Sequence, residues 1–516
     1  MPVKRTRLGM LPPFLVFMLL GMSLAWHWND RLLNSQMFRQ VHTAQNAEMY
    51  NLVGWNPLRA YYRFAHRPGI NVLELPLYQS LNAGLSRIVA LTIDQSGKLI
   101  NVVCGLLFAF GILVLQRRLL PRGKPSSINV RSTGAGHERL SLNALRHAPS
   151  RTMEGDLQAL ALVFSVPLLF GLSQWVLADL LSSTLAVWAL ILFHDAGRNS
   201  AKISWSLLRK LVGFLAVLFF SFAIKPTVLI ATAPFYALLL WNGKSFEFKS
   251  WPRLVCAAIA VLGGLTWFWY GQRLNQRLGG QFKISDSGYY LGSYAFSLPW
   301  LGKLAARLIL YVTGPGTLLA VGWSFAQEPA TRRALKRPVA LACLASAGFY
   351  IFVFLNLNVR HNYYQLPLLI PVSIWLLSVA RQSARTIYHW PIVLSIALVL
   401  NIAVSEYQLL RVDRDLNSTI ELLRGEIASG IDRPELTVIT SIDAAGPVFA
   451  YYLGRYVSDL SVEGAANARP DGRWFAACDQ ASGDACRQRV IVMASACAVR
   501  GRLIGRYWTC VPTDRP

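Results

Sequence analysis

Charged residues are scarce in this chain, and acidic ones are the scarcest of them. Only 15% of the 516 residues are charged, and 26 acidic residues stand against 51 basic ones. The chain also has no Walker loop, no GxSxG motif, no HExxH motif and no dinucleotide-binding fingerprint. These absences argue against an energised pump and against the common enzyme classes that those motifs mark.

Long apolar runs are abundant instead. Hydrophobic residues make up 54% of the chain, a composition typical of multi-spanning membrane proteins. A hydrocarbon core of about 30 Å requires about 20 apolar residues per helical span. The sequence therefore predicts a polytopic α-helical protein with about eleven spans, near residues 9–27, 98–118, 157–174, 177–194, 209–224, 227–242, 253–271, 302–325, 338–356, 364–380 and 391–408.

The distribution of basic residues predicts the orientation. Five basic loops fall on one side of these spans: Arg117–Arg151, Lys202–Lys210, Lys244–Arg253, Arg332–Arg337 and Arg381–Arg385. The positive-inside rule places them in the cytoplasm. Topology then explains most of the net charge of +25, and no nucleic-acid partner is needed. A signal peptide competes for the first span, but no small-residue cleavage site precedes Trp26, which favours an uncleaved anchor.

The opposite, periplasmic side then receives a first loop over about 28–97 and a tail after the last span. We expect a transmembrane domain over 1–408 and a small mixed α/β domain over 409–516, with a helix near Asp415–Ile427 and strands near Leu436–Thr440 and Val490–Met493. Four of the seven cysteines lie in this tail, at Cys478, Cys486, Cys497 and Cys510. They suggest two disulfides of undetermined pairing, with zinc as the weaker alternative.

The carboxylates and histidines of the first loop are candidates for proton transfer. Glu74 precedes Pro76, which is able to start a helix, so its carboxylate is either an N-terminal cap or a general base. Glu48 lies in a predicted helix over Thr43–Leu52 and is the second carboxylate candidate. His42 is the nearby group that titrates near neutral pH, although a lone histidine is more often only a hydrogen-bonding residue.

Cations on the same predicted face are candidates for binding phosphate. Lys225 lies in a Lys-Pro-Thr turn between two predicted spans, where snorkelling to the surface is the alternative role. Arg360 and His361 precede Tyr363 and Tyr364 in another short loop, and arginine grips phosphate with two hydrogen bonds. Asp179, at the start of a predicted span, is costly there unless it is paired or hydrated.

These motifs resemble those of bacterial membrane glycosyltransferases of the C-type fold, the protein mannosyltransferase-like group and the aminoarabinose lipid A transferase. The resemblance spans about Trp26–Ala380. It rests on Phe38–Ala44, Pro68-Gly69 with Glu74–Gln79, Lys225-Pro226-Thr227 and His361–Pro367. Many relatives carry an acidic residue at the start of the first loop, where this chain has Arg39-Gln40, so Glu74 is expected to be the base.

The resemblance implies an inverting enzyme that moves a sugar from a polyprenyl-phosphate donor to a lipid, glycan or protein acceptor. The expected catalytic residues are Glu74, His42 and Glu48, and the expected substrate-binding residues are Arg39, Gln40, Arg67, Tyr78, Lys225, Arg360, His361 and Tyr364. No cofactor is required for this chemistry, although the carboxylates are able to recruit a divalent metal. The alternatives are a transporter or flippase for a lipid-linked glycan, which should have repeated halves, and a non-catalytic cell-envelope assembly protein.

Overall fold

The computed structural model of the protein describes most of the membrane helices and parts of both extramembrane regions. The described residues are 9–34, 36–56, 58–59, 61–64, 67–70, 74–119, 153–198, 204–241, 251–277, 297–328, 337–412, 414–428, 437–440, 446–453, 456–459, 474–479, 502–504 and 507–510. Most of the five basic loops and the predicted strand Val490–Met493 lie outside them.

The chain is a multi-pass helical membrane protein. Six described helices are long and apolar enough to cross a bilayer, and a bent pair makes a seventh if it counts as one span. Three shorter apolar helices also coincide with predicted spans. The helices of this region that precede the bent pair are α1 (Leu11–His27), α4 (Ile93–Leu119), α5 (153–165), α6 (Pro167–Leu172), α7 (Asp179–Arg198), α8 (Trp205–Ile224), α9 (Thr227–Leu240) and α10 (Trp251–Arg277). The total of about eleven spans stays a prediction.

The bent pair is built from a broken helix. Helix α11 (Leu298–Arg307) runs into a π-helical turn (Leu308–Thr313), and α12 (Pro315–Gln327) leaves it at 77°. Gly314 makes the bend because its φ of 86° is strained for residues with a Cβ. The remaining helices are α13 (Arg337–Val353), α14 (Leu355–Arg360), a 3₁₀ segment (Asn362–Leu368), α15 (Leu369–Thr386) and α16 (Trp390–Leu409).

The first loop folds into two helices and a hairpin. Helix α2 (Met37–Val53) begins earlier than the predicted Thr43, so Arg39 lies within it. Strands β1 (Tyr61–Phe64) and β2 (Arg67–Ile70) pair antiparallel, and α3 (Leu77–Val89) follows Pro76. Gln36, just before α2, has a φ of 67° in the left-handed region, a strained conformation that clusters at functional sites.

After α16 the chain alternates helices and short strands. Helix α17 (Arg414–Ala428) is the helix predicted near Asp415–Ile427, and β3 (Thr437–Thr440) is the strand predicted near Leu436. Helix α18 (Gly446–Leu453) and strands β4 (Tyr456–Asp459), β5 (Trp474–Asp479), β6 (Arg502–Ile504) and β7 (Tyr507–Cys510) follow. The sheet order is β4-β3-β5-β7-β6, with β3 parallel to both neighbours and β7 antiparallel to both of its own.

Two apolar cores meet at Ile100 of α4 and Leu181 of α7, which pack against both. The larger core lies among the membrane helices and includes Phe108, Phe170 and Trp390. The second core joins α2 and α3 to α17 and α18 through residues such as Tyr50 and Leu416. Because the first loop and the C-terminal region share this core, α2 is held firmly at the end of the helix bundle.

The cysteines divide between the two regions as expected. Cys104, Cys256 and Cys343 are free and lie within membrane helices. Cys478 and Cys510 lie in β5 and β7, but their side chains are outside the described part of the chain, as are Cys486 and Cys497. The predicted disulfides therefore stay a prediction.

Candidate functional site

Helix α2 carries the first group of candidate residues. Arg39 and His42 are three positions apart, and residues at this spacing lie on one face of a helix. His42 is buried, and burial together with the nearby Arg39 cation lowers its pKa from 6.5 to about 3. His42 is therefore neutral at physiological pH.

Arg39 forms a salt bridge with Glu74. The two side chains are only 16% and 15% exposed, and the carboxylate raises the pKa of Arg39 although burial opposes this. The backbone N–H of Leu75 donates to the carbonyl of Ala223 at 2.9 Å, which ties the loop of Glu74 to the end of α8. The loop therefore places Glu74 close to the turn that carries Lys225.

Lys225 lies between a carboxylate and two aromatic rings. It follows α8 directly, in the predicted tight turn, and forms a salt bridge with Asp179 at the start of α7. Its Nζ is 4.8 Å from the ring centre of Tyr363 and 4.1 Å from that of Tyr364. Burial and the nearby Arg39 cation lower the pKa of Lys225, although the Glu74 carboxylate favours its charged form.

His361 stacks beside the same two rings, at 5.3 Å from Tyr363 and 6.0 Å from Tyr364. Its Nδ1 lies 3.4 Å from Oε1 of Gln36. Burial and the surrounding positive charge lower its pKa to about 4. The cations that contribute to this shift are Lys225, Arg307, Arg360 and Arg39.

We call this group the cation cluster: Arg39, Glu74, Asp179, Lys225, Arg307, Arg360, His361, Tyr363 and Tyr364. It draws on the first loop, the start of α7, the end of α8, the end of α11 and the segment after α14. Its four cations are close enough to His361 to lower the pKa of that side chain. Two carboxylates, Glu74 and Asp179, form salt bridges with two of these cations. Such a cluster favours binding of an anion.

Sequence reasoning missed Arg307 and Gln36. Arg307 ends α11 immediately before the π-helical turn, and π-helical turns are frequent at functional sites. Its Nη1 is buried and has no hydrogen-bond partner among the described residues. The sequence did carry a signal for Arg307, because it is a charged residue inside the apolar segment 302–325. Charged residues in membrane spans are energetically costly and usually functional. The strained φ of Gln36 leaves no comparable mark in the sequence.

Other predicted site residues lie away from the cluster or hold backbone in place. Gln40 Oε1 accepts a hydrogen bond from the N–H of Val176 at 3.2 Å, and the hydroxyl of Tyr78 donates to the carbonyl of Gly97 at 2.9 Å. Glu48 is nine residues beyond Arg39, about two and a half helical turns, and so lies on the opposite face of α2.

The remaining predictions concern Arg67 and a metal. Arg67 begins strand β2, but its side chain is outside the described part of the chain. Within the described residues, no three histidine, cysteine, aspartate or glutamate side chains are close enough together to hold a metal ion.

Comparison with known proteins identifies the fold. The chain aligns with the crystal structure of ArnT from Cupriavidus metallidurans bound to undecaprenyl phosphate, with a TM-score of 0.60, 13% sequence identity and 97% coverage of both chains. The apo state of the same protein gives the same values. This confirms the C-type fold implied by the motifs.

A weaker likeness links the chain to the oligosaccharyltransferase AglB from Archaeoglobus fulgidus, solved with an inhibitory peptide and a dolichol-phosphate. Its TM-score is 0.46 at 13% identity, and it covers 98% of this chain and 75% of that one. No protein-family model and no curated protein sequence matches the chain.

Proposed function

We propose that this protein is a membrane glycosyltransferase that moves a sugar from a polyprenyl-phosphate donor to an acceptor at the periplasmic membrane face. The observation that carries the proposal is the cation cluster, in which Arg39, Lys225 and Arg307 converge beside two stacked tyrosines. ArnT, an aminoarabinose lipid A transferase of the same fold, was crystallised with undecaprenyl phosphate, which supports this donor class.

The cations bind and stabilise the donor phosphate. When the sugar leaves, negative charge grows on the phosphate oxygens, and preorganised cations in a water-poor site stabilise that charge strongly. Lys225 acts as a point charge, whereas Arg39 and Arg307 offer planar forks that match phosphate oxygens. Arg360 adds charge from the exposed end of α14. The rings of Tyr363 and Tyr364 lie 4.9 Å apart and provide a surface for the donor sugar.

Glu74 is the general base in this proposal. An acceptor hydroxyl attacks the anomeric carbon, its new C–O bond forms as the bond to phosphate breaks, and the leaving electron pair departs on the polyprenyl phosphate. The hydroxyl proton passes to the Glu74 carboxylate, which Arg39 orients. A single displacement of this kind inverts the anomeric centre. Proton transfer to a positioned base contributes about 10² to 10⁴ in rate.

The other two proposed catalytic groups are poorer bases for this step. His42 has its pKa lowered to about 3, so it is a weak base, and we assign it a positioning role beside Arg39. Glu48 faces away from Arg39 across α2. Gln40 and Tyr78 hold α2 and α3 through backbone contacts. Arg67 remains a proposed ligand from the hairpin.

The bend of 77° after α11 is the observation that favours the transporter alternative, because broken helices line substrate sites in many transporters. The cluster argues against transport as the main role because its charges gather at helix ends and loops. We therefore retain glycosyl transfer, with the sugar and the acceptor undefined.

The test compares Glu74→Gln with wild type in lipid nanodiscs. We expect the variant to bind undecaprenyl phosphate as wild type does and to lose sugar transfer, measured by mass spectrometry of envelope lipids and glycans from expressing and deletion cells. Lys303→Met is the control, because Lys303 is an exposed residue on α11. An unchanged envelope after deletion, or full transfer by Glu74→Gln, would contradict the proposal.

A further inference from the structure

A cavity lies on the side of helix α2 that faces away from the cation cluster. It has a volume of about 400 Å³, within the range of about 300–1,000 Å³ typical of small-molecule sites. Its walls come from the turn after α1, the start of α4, Glu48 of α2, and Arg424 and the two tyrosines of the C-terminal region. The cavity therefore forms only where the first loop and the C-terminal helices pack together.

The walls of this cavity are rigidly built. Nζ of Lys98 donates to the carbonyls of His27 and Asp30 at 2.6 and 2.8 Å, which fixes the turn that carries Trp28. Tyr451 and Tyr452 both donate to Asp94, at 2.6 and 3.0 Å. Such preorganised walls lower the entropy cost of binding a ligand.

The cavity walls carry charges of both signs, which disfavours a lone phosphate and a lone metal ion alike. Three carboxylates, from Asp30, Glu48 and Asp94, repel a phosphate, and two guanidinium groups, from Arg31 and Arg424, repel a metal ion. A neutral ligand rich in hydroxyl groups avoids both penalties, since each hydroxyl donates to a carboxylate and accepts from an arginine.

Aromatic rings complete the match to a sugar. Tyr451 and Tyr452 meet edge to face with ring centres 4.8 Å apart, and Trp28 also lines the cavity. The C–H faces of a sugar ring pack against aromatic rings, while its hydroxyls reach the polar groups between them. Aromatic walls with a few placed polar groups are the usual makeup of a ligand site.

We propose that this cavity binds a neutral sugar unit of the acceptor, remote from the hydroxyl that is attacked. The inference rests on the proposed function and narrows the acceptor to a glycan-bearing molecule. Glu48 and Arg39 are nine residues apart on opposite faces of α2, about 13 Å along the helix axis. The attacked hydroxyl and the bound sugar unit therefore lie well apart in the acceptor.

The experiment measures sugar binding to the full-length protein in lipid nanodiscs by saturation-transfer NMR. The probes are methyl glycosides of glucose, galactose, mannose and rhamnose, used at millimolar concentration. We expect at least one probe to receive saturation in wild type and in Glu74→Gln. We expect Asn29→Trp, which fills the cavity from its exposed rim, to abolish that signal.

Tyr451→Phe is the second variant, because it keeps the ring and removes one of the two hydroxyls that donate to Asp94. We expect it to reduce the signal at least fivefold while a cooperative thermal unfolding transition shows that the protein stays folded. The cavity assignment is overturned if no probe binds, if Asn29→Trp keeps the signal, or if Glu74→Gln removes it.

The two proposals fail in different ways. Transfer activity without glycoside binding overturns the cavity assignment alone. Glycoside binding in this cavity by a protein whose deletion changes no envelope lipid or glycan overturns the proposed transfer and the acceptor role together.

Discussion

Replacing Lys225 by methionine separates its structural role from its proposed catalytic role. The side chains of Lys225 and Asp179 are only 6% and 2% exposed. Methionine preserves the length of the side chain but leaves Asp179 buried without its cation. Removing one partner of a buried ion pair costs about 3–5 kcal/mol. We therefore expect Lys225→Met to lower the free energy of unfolding by that amount and to abolish transfer.

The double variant Asp179→Asn, Lys225→Met is the informative comparison. Neither side chain is then charged, so most of the lost stability should return. Transfer should stay about 10² to 10³ below wild type, the usual loss when one charge-stabilising donor is removed, because the donor phosphate still lacks Lys225. Lys303→Met should change neither quantity.

Stability is measured by denaturant unfolding in detergent, followed by tryptophan fluorescence, and transfer is measured by mass spectrometry of the lipid product. Wild-type transfer by the double variant would mean that Lys225 only neutralises Asp179, and the phosphate role would fall. Unchanged stability of Lys225→Met would mean that the pair lies in a well-solvated site, contrary to its burial.

Three further predictions address the donor, pH and packing. Arg307→Met should raise the Kd for undecaprenyl phosphate in nanodiscs at least tenfold, and an unchanged Kd would remove Arg307 from the donor site. The pKa values of His42 and His361 are lowered to about 3 and about 4, so the folded protein binds fewer protons than the unfolded chain. Stability should therefore decrease as pH falls below about 6.5, and His42→Leu should flatten that decrease in unfolding curves measured from pH 7.5 to 4. Gly316→Ala should destabilise by about 1–3 kcal/mol because its methyl group overlaps a backbone carbonyl of α16. Gly322→Ala, on the same helix with open space around it, should stabilise by about 0.5–1 kcal/mol in the same unfolding assay.

Local signals in the sequence predicted the turns that carry the site. A lysine before proline between two apolar runs marked the turn at Lys225, and a proline after Glu74 marked the start of α3. These signals are local because proline and helix ends act on neighbouring backbone. The helix near Asp415 and the strand near Leu436 were recognised from short-range pattern in the same way.

Two features were harder to predict from the sequence: contacts between residues on different helices, and the face of a helix on which a given residue lies. The partner of Asp179 is Lys225, and no local pattern identifies contacts across two helices. Starting α2 at Thr43 left Arg39 outside the helix and hid the fact that Glu48 faces away from it. With α2 beginning at Met37, the period of 3.6 residues alone places the two on opposite faces.

A comparison of two buried cations, Lys98 and Arg307, helps to decide whether the cation cluster has only a structural role. Lys98 is a buried cation with a structural role, and backbone carbonyls of the turn after α1 surround its ammonium at 2.6, 2.8 and 3.4 Å. Arg307, by contrast, keeps a buried Nη1 without a hydrogen-bond partner among the described residues. A buried donor left unsatisfied costs about 1–3 kcal/mol, and a structural cation has no reason to retain that cost. An anion that enters the cluster and accepts from Arg307 removes it, which is the behaviour expected of a phosphate-binding site.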